Sequence, residues 1–525
     1  NGEASKFALT ATKVETLTIA AAADLNISKS APTGLAALKT VTITGAGDVN
    51  LGNLSASASF ATLNASAAKG DITAEITATN TAVTTGSGND TITATVANTT
   101  TAISKAIDLG AGDDTLVLFD DTTAVPTAAV KGGAGVDTIS MTSVSADAYD
   151  ANENFKNAIS GFERLEINNT YGVDGNTLTT LTLDMEKLGF NYVITNGTDD
   201  GDALNVETQD RISLTNLAAN ATVELNANGL VIAALKTATG TTDVINVVTN
   251  VTTSAVDFGT FTVASVETVN ITANDTQLDD NSDDVIDSSD IVEVATLNLT
   301  ADAAKTVNVT GTSSLTLDTV STTITKVDAS AMTGDLVYTA DGAAAGTEVI
   351  GGAGNDTLRA SGEKDVLKGG AGNDTFYATD MTTVYGGAGA DKFYFATPTQ
   401  LSKVSTIADL GSGDTIFLID KTGNGNTADA AVSKFYATGA EYNANTTTTF
   451  EAKVNASLVQ TGEGEATWFQ HSGNTYIVID NDGTSGAAAP LAAGAVDSYV
   501  AGKDIVIEIT GLKDLSTASF NATTG

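Results

Sequence analysis

Gly351-Gly352-Ala353-Gly354-Asn355-Asp356-Thr357-Leu358-Arg359 is the stretch from which the chain is read. It fits the nonapeptide G-G-x-G-x-D-x-U-x at every fixed position, U being a large apolar residue. Gly369 to Tyr377, Gly386 to Tyr394 and Gly132 to Ser140 fit it equally, and Leu109 to Leu116 and Thr85 to Ile92 lack only the first Gly. One match would mean little in a chain with 50 Gly among 525 residues, but these matches fall in two clusters. Glycine tolerates positive φ and close backbone approach, so the first half turns tightly. Asp at the sixth place adds a carboxylate, and the apolar eighth place begins a short strand pointing into a core. Two nonapeptides make one coil of a parallel β-roll. The second cluster repeats after 18 and then 17 residues, so the turns holding Asp356, Asp374 and Asp391 stack in one column. Ala360 to Lys368 has lost its glycines but keeps Asp365 and Leu367 in register, as the opposite side of the coil. The first cluster repeats after 24 and 23 residues, and its longer coils stack Asp90, Asp114 and Asp137.

Stacked carboxylates repel unless a cation joins them. Mixed carboxylate and carbonyl ligands at flexible geometry suit Ca²⁺, with six or more oxygens, better than Mg²⁺. The expected metal residues are Gly351, Gly354, Asn355, Asp356, Asp365, Gly369, Gly372, Asn373, Asp374, Gly386, Gly389 and Asp391, with Asp90, Gly112, Asp114, Gly135 and Asp137 in the first cluster. Calcium is expected between Asp356 and Asp374 and between Asp374 and Asp391. The plain alternative is Asp in ordinary solvated turns, where Asp and Gly are common. Other acidic loops carry no motif: seven Asp between Asp275 and Asp290, Asp199-Asp200-Gly201-Asp202, and Asp480-Asn481-Asp482-Gly483. None completes an EF-hand pattern.

Outward from the clusters, β-branched runs alternate with Thr, as in Val41-Thr42-Ile43-Thr44 and Val266-Glu267-Thr268-Val269-Asn270-Ile271. That period marks strands with one buried face. Ala151 to Ile159 and Asp184 to Leu188 are the short-helix candidates. Landmarks recur in order: Val14 to Ile19 with Val266 to Ile271, Leu63 to Ala67 with Val327 to Ala331, and Gly86 to Ile92 with Gly352 to Leu358. We read an all-β chain, with β-roll (β-solenoid) segments among tandem β-rich modules. The expected division is a β-rich module over 1–84, a first calcium segment over 85–160, a partly duplicated module over 161–345, a β-roll over 346–420 and a C-terminal β-domain over 421–525.

Lys plus Arg number 24 against 64 Asp plus Glu, a net charge of −40. Nucleic acid is excluded as a partner, because its phosphates repel such a chain. Anionic membrane surfaces are disfavoured likewise. No apolar run reaches the roughly 18 residues of a membrane span. Without Cys there are no disulfides. No basic-then-apolar leader opens the sequence, and its start at Asn1 is expected of a processed or partial product.

The nonapeptides are the signature of the RTX (repeat-in-toxin) proteins. Thr406-Ile407-Ala408-Asp409-Leu410, with Gly413-Asp414-Thr415-Ile416, resembles the segment that ends an RTX β-roll. The glutamate-centred strands near Glu15, Glu163 and Glu267, the Thr/Ala/Asn-rich body and Trp468 to Tyr476 resemble RTX-type bacterial surface-layer proteins, as in Caulobacter and Campylobacter. That resemblance implies export by type I secretion on an uncleaved C-terminal signal, here within roughly the last 80 residues. It also implies a calcium-dependent two-dimensional lattice of identical subunits outside the cell, on the outer membrane. Members of that family hold lipopolysaccharide through a separate N-terminal anchor, and no helical anchor is visible before Glu15. An RTX adhesin or extracellular matrix fibre is the alternative. An RTX protease or lipase is disfavoured, since H-E-x-x-H and G-x-S-x-G are absent and His471 is the sole His.

Overall fold

The computed structural model describes residues 8–10, 12–28, 35–55, 57–96, 98, 100–118, 123–152, 154–172, 179–198, 210–252, 255–276, 294–339, 346–360, 362–395, 400–417, 434–435, 449–458, 465–480, 499–501 and 504–515. The chain divides into two compact units, residues 1–248 with 258–263, and residues 249–257 with 264–525.

In the first unit, successive strands alternate between two faces, and each pairs in parallel with the strand two places earlier. One face is a seven-stranded sheet running from Thr16–Ala21 to Ile159–Ser160. The other runs from Leu25–Asn26 through Thr91–Thr95, Thr115–Leu118, Thr138–Met141 and Arg164–Ile167 to Thr222–Leu225. This is a β-solenoid. Parallel strands need a crossover, and here the opposite face supplies it. The alternation of Thr with Val, Ile and Leu fixes which side faces in. Ile92, Leu116, Ile139, Leu165, Val193 and Val223 lie in register, one per coil, and all are buried. Each such side chain is worth about 1.5–3 kcal/mol of burial. The seven-stranded sheet stops at Ile159–Ser160, and Thr180–Asp184 opens a new one. The helices Ser143–Asp150, Phe155–Ala158 and Met185–Leu188 lie around this break. The last two fall inside the helix candidates of the sequence. The stacked rings of Tyr149 and Phe155, 4.2 Å apart and fully buried, fill the space.

The second unit repeats the plan. Val327, Val349, Leu367, Val384 and Ile407 form one inward column, and Leu358, Phe376, Phe393 and Ile416 the facing one. Its C-terminal end changes character. Glu465–His471 and Asn474–Ile479 form an antiparallel hairpin that continues into Ile505–Ile509, and this last strand pairs in parallel with Ser405–Ile407. The helix Phe450–Leu458 closes a small core with Phe469, Tyr476, Val478 and Val506.

The recurring landmarks fold alike. Thr62–Ala68 and Lys326–Met332 carry the same shift of register against their neighbours. In the first, Asn64 Oδ1 accepts from Ser66 N and Oγ at 3.2 and 2.8 Å. In the second, Asp328 Oδ1 accepts from Ser330 N and Oγ at 3.1 and 2.6 Å. No described helix is long and apolar enough to cross a membrane.

Candidate metal centres

The sixth-place carboxylates stand in two columns, one in each unit. In the second unit Asp356 Oδ1 accepts from Leu336 N at 2.7 Å, Asp374 Oδ1 from Asp356 N at 2.8 Å, Asp391 Oδ1 from Asp374 N at 2.9 Å, and Asp414 Oδ1 from Asp391 N at 3.1 Å. In the first unit Asp90 accepts from Ile72 N, Asp114 from Asp90 N and Asp137 from Asp114 N, all between 2.7 and 2.8 Å, and Glu163 Oε2 accepts from Asp137 N at 2.9 Å. Every link spans one coil. Each carboxylate therefore clips its turn to the turn before it. The sequence points to Asp90, Asp114, Asp137, Asp356, Asp374 and Asp391, and the structure stacks all six as the spacing requires.

These are not solvated turns. Asp90, Asp114, Asp356 and Asp391 are 1% exposed, and Asp137 and Asp374 are 0% exposed. Nor are all of them satisfied, although Asp356 Oδ2 accepts from Gly352 N at 2.7 Å. The Oδ2 atoms of Asp114, Asp137, Asp374 and Asp391 are buried with no hydrogen-bond partner. Burial first, and neighbouring carboxylates after it, push Asp114 and Asp374 up to about 7 despite their backbone hydrogen bonds. Burial likewise raises Asp90 and Asp356 to about 6. Asp137 and Asp391 also move upward through burial, opposed by their backbone hydrogen bonds and assisted by nearby carboxylates. Buried anions with free lone pairs and no cation beside them are costly, and a hard cation removes that cost.

The glycines shape the space for one. A methyl group on Gly351 would collide with Asp356 Oδ2 and sit 2.5 Å from Gly369 O; on Gly369 it would collide with Asp374 Oδ2 and sit 2.6 Å from Gly386 O. On Gly386 it would collide with Asp391 Oδ2. Around Gly351 and Gly369, a carboxylate oxygen and the next coil's carbonyl oxygen thus face a gap left by a hydrogen atom. Gly354, Gly372 and Gly389 form another column in the second unit, and Gly112 and Gly135 one in the first, in which a side chain would strike the preceding coil; Gly372, at φ +115°, would meet Gly354 O. Among the described residues no three Asp, Glu or His side chains converge on one point, so an ion here draws on main-chain carbonyls as well. An all-oxygen set of this kind fits calcium.

Asp365 lies elsewhere. It belongs to the opposite turns, where Oδ1 accepts from Gly346 N and Thr347 N at 3.1 and 2.9 Å and Oδ2 from Gly362 N at 3.0 Å. Asn355 and Asn373 belong to an outer ladder running the other way. Asp335 Oδ1 accepts from Asn355 N, Asn355 Oδ1 from Asn373 N and Asn373 Oδ1 from Ala390 N, at 2.6 to 2.8 Å. The first unit has a ladder of the same kind through Asp24, Asp48, Asp71, Asn89 and Asp113, each accepting from the next coil. Sequence reasoning missed this ladder. Its signal is a Gly-Asx pair once per coil: Gly47-Asp48, Gly70-Asp71, Gly88-Asn89 and Gly112-Asp113. It also missed Glu163 as the member that follows Asp137. Asp409 is a further addition: its oxygens accept from Gly386 N and Gly387 N at 2.8 and 3.2 Å, holding the start of the Asp391 turn.

Of the other acidic loops, most of the Asp275 to Asp290 run, all of Asp199 to Asp202 and residues 481–483 lie outside the described residues. So does much of the expected C-terminal signal. His471 ends the strand Glu465–His471, with its ring 5.8 Å from that of Phe450.

Residues 350–380 match the family model of the RTX calcium-binding nonapeptide repeat (4 copies). That span holds the Asp356 and Asp374 turns. No curated protein matches the chain. The second column thus includes calcium-binding RTX repeats, and the Asp391 turn and the first column share their geometry beyond the matched span.

Proposed function

We propose that this chain is a secreted structural protein of a bacterial surface layer, exported by type I secretion and assembled with copies of itself outside the cell once calcium binds. The observation that carries the reading is the pair of buried Asp columns, each with oxygens left unpaired inside a β-solenoid. Such columns oppose folding where calcium is scarce. Outside the cell calcium binds the folded state and stabilises it by mass action. The residues that would hold it are Asp356, Asp374 and Asp391 with the carbonyls of Gly369 and Gly386, and the first column in its own unit. Once bound, calcium supplies cross-links between coils that a cysteine-free chain lacks. The repeated, Thr-faced sheets and the resemblance to RTX surface-layer proteins support a structural role over catalysis.

The test is direct. The purified chain should gain far-ultraviolet circular dichroism of β type on adding millimolar calcium, and negative-stain images should show a two-dimensional lattice that EGTA dissolves. Equal dichroism in EGTA would defeat the calcium-dependent part. Single fibres in place of sheets would assign the chain to adhesin or matrix fibres.

A further inference from the structure

We infer that the first column holds its cation at its far end, between Asp137 Oδ2, the Gly161 carbonyl and the Glu163 carboxylate, a calcium site whose last ligand stands outside every nonapeptide. The inference rests on reading the buried columns as calcium sites and assigns where in the first column the ion sits. The residue opening each turn decides this. In the second column those residues are Gly351, Gly369 and Gly386, and each leaves its cradle open. In the first column they are Thr85, Leu109 and Gly132. The Thr85 hydroxyl donates to Leu109 O and lies within hydrogen-bond reach of Asp90. Those oxygens correspond to the pair, carboxylate and next-coil carbonyl, that flanks Gly351. A hydroxyl proton therefore stands where a cation would. Leu109 is fully buried and opens the Asp114 turn with a side chain where Gly132 has none.

Gly132 alone leaves the gap. A methyl group there would collide with Gly161 O and sit 2.7 Å from Asp137 Oδ2. Gly161 O thus takes the place that Gly369 O has around Gly351. Asp137 is 0% exposed and its Oδ2 has no partner. Glu163 closes the site. Its N–H donates to Asp137 O at 3.0 Å, and its Oε2 accepts from Asp137 N at 2.9 Å, the role Asp374 plays toward Asp356. Glu163 follows Gly161 by two residues, where Asp137 follows Gly132 by five. The turn is three residues shorter, and the extra methylene of Glu lets the carboxylate reach the same N–H. Glu163 is exposed, so water completes the shell. Two carboxylates and a carbonyl with water suit the weak binding, about 10⁻⁴–10⁻³ M, of extracellular calcium modules.

Equilibrium dialysis of the full chain against ⁴⁵Ca²⁺ counts the ions. Gly132→Ala should lose one ion per chain. Glu163→Gln, which keeps an oxygen for Asp137 N–H, should weaken one site at least tenfold, with unchanged circular dichroism in saturating calcium. The double variant Asp356→Ala, Asp374→Ala should lose ions independently of both. Full binding in Glu163→Gln and Gly132→Ala, with loss in the double variant, would overturn this site alone. Full binding in all three would overturn the calcium reading of both columns.

Discussion

At the scale of one residue, Asp374 carries the conflict that defines the columns. Its Oδ1 is held by a main-chain N–H, its Oδ2 by nothing, and burial raises it to about 7. A carboxyl group with a folded pKa above its unfolded value of 3.8 binds protons more tightly when folded. Its contribution to stability therefore falls as pH rises between those two values and stays low above them. The calcium-free chain should accordingly have a higher urea midpoint at pH 5 than at pH 8. Net self-repulsion at −40 acts in the same direction, so the variant separates them. Asp374→Asn should flatten part of the slope and raise the pH 8 midpoint in EGTA. In saturating calcium the trend inverts, because ligands must shed protons to bind, and Asp374→Asn should then be the less stable chain. A variant that behaves alike in EGTA and in calcium would show that the ion does not touch Asp374.

At the scale of the strand and turn, two kinds of ladder hold the coils and they differ in strength. The inward column Leu358, Phe376, Phe393, Ile416 is dry, with the Phe376 and Phe393 rings 5.3 Å apart. The outer Asx ladder is exposed, each link a single hydrogen bond. Phe376→Ala should cost about 3–5 kcal/mol in calcium, and Asp71→Ala about 0.5–1.5 kcal/mol, both read from urea midpoints. This difference also explains what was legible in the sequence. An inward residue must be apolar at every coil, so the Thr alternation announces the faces and the parallel register. The inner carboxylates need glycine before them and a fixed spacing, so the nonapeptide announces Asp356, Asp374 and Asp391. The outer ladder accepts Asp or Asn and tolerates coils of different length, so it leaves only a Gly-Asx pair per coil. Glu163 was less legible still: its turn is shorter than a nonapeptide, and only the stacking of Gly161 on Gly133 brings it under Asp137. The helix Ser143–Asp150 has no strong apolar period; it is held by a Thr142 cap and by burial of Tyr149 at the sheet break.

At the scale of the whole molecule, each bound calcium cancels two of the forty excess negative charges, so calcium sets how strongly the chain repels its own folding. In the second unit this reaches beyond the repeats. Asp409 holds Gly386 and Gly387, Lys513 Nζ donates to Leu410 O at 3.0 Å, and Ile505–Ile509 pairs with Ser405–Ile407. That strand is the base of the antiparallel hairpin holding Trp468, the sole tryptophan, 3% exposed. An unbroken main-chain ladder thus joins the Asp391 turn region to the indole. If calcium orders the last coils, its removal strips the hairpin of its supporting edge and bares an unpaired strand. Trp468 emission should then shift to the red on adding EGTA, and acrylamide should quench it more strongly. In Asp374→Ala the shift should occur at higher calcium than in the unmodified chain. An emission maximum that holds in EGTA, while the far-ultraviolet β signal falls, would show that the hairpin and its helix stand on their own core of Val454, Leu458, Phe469 and Val506 without the coils beneath.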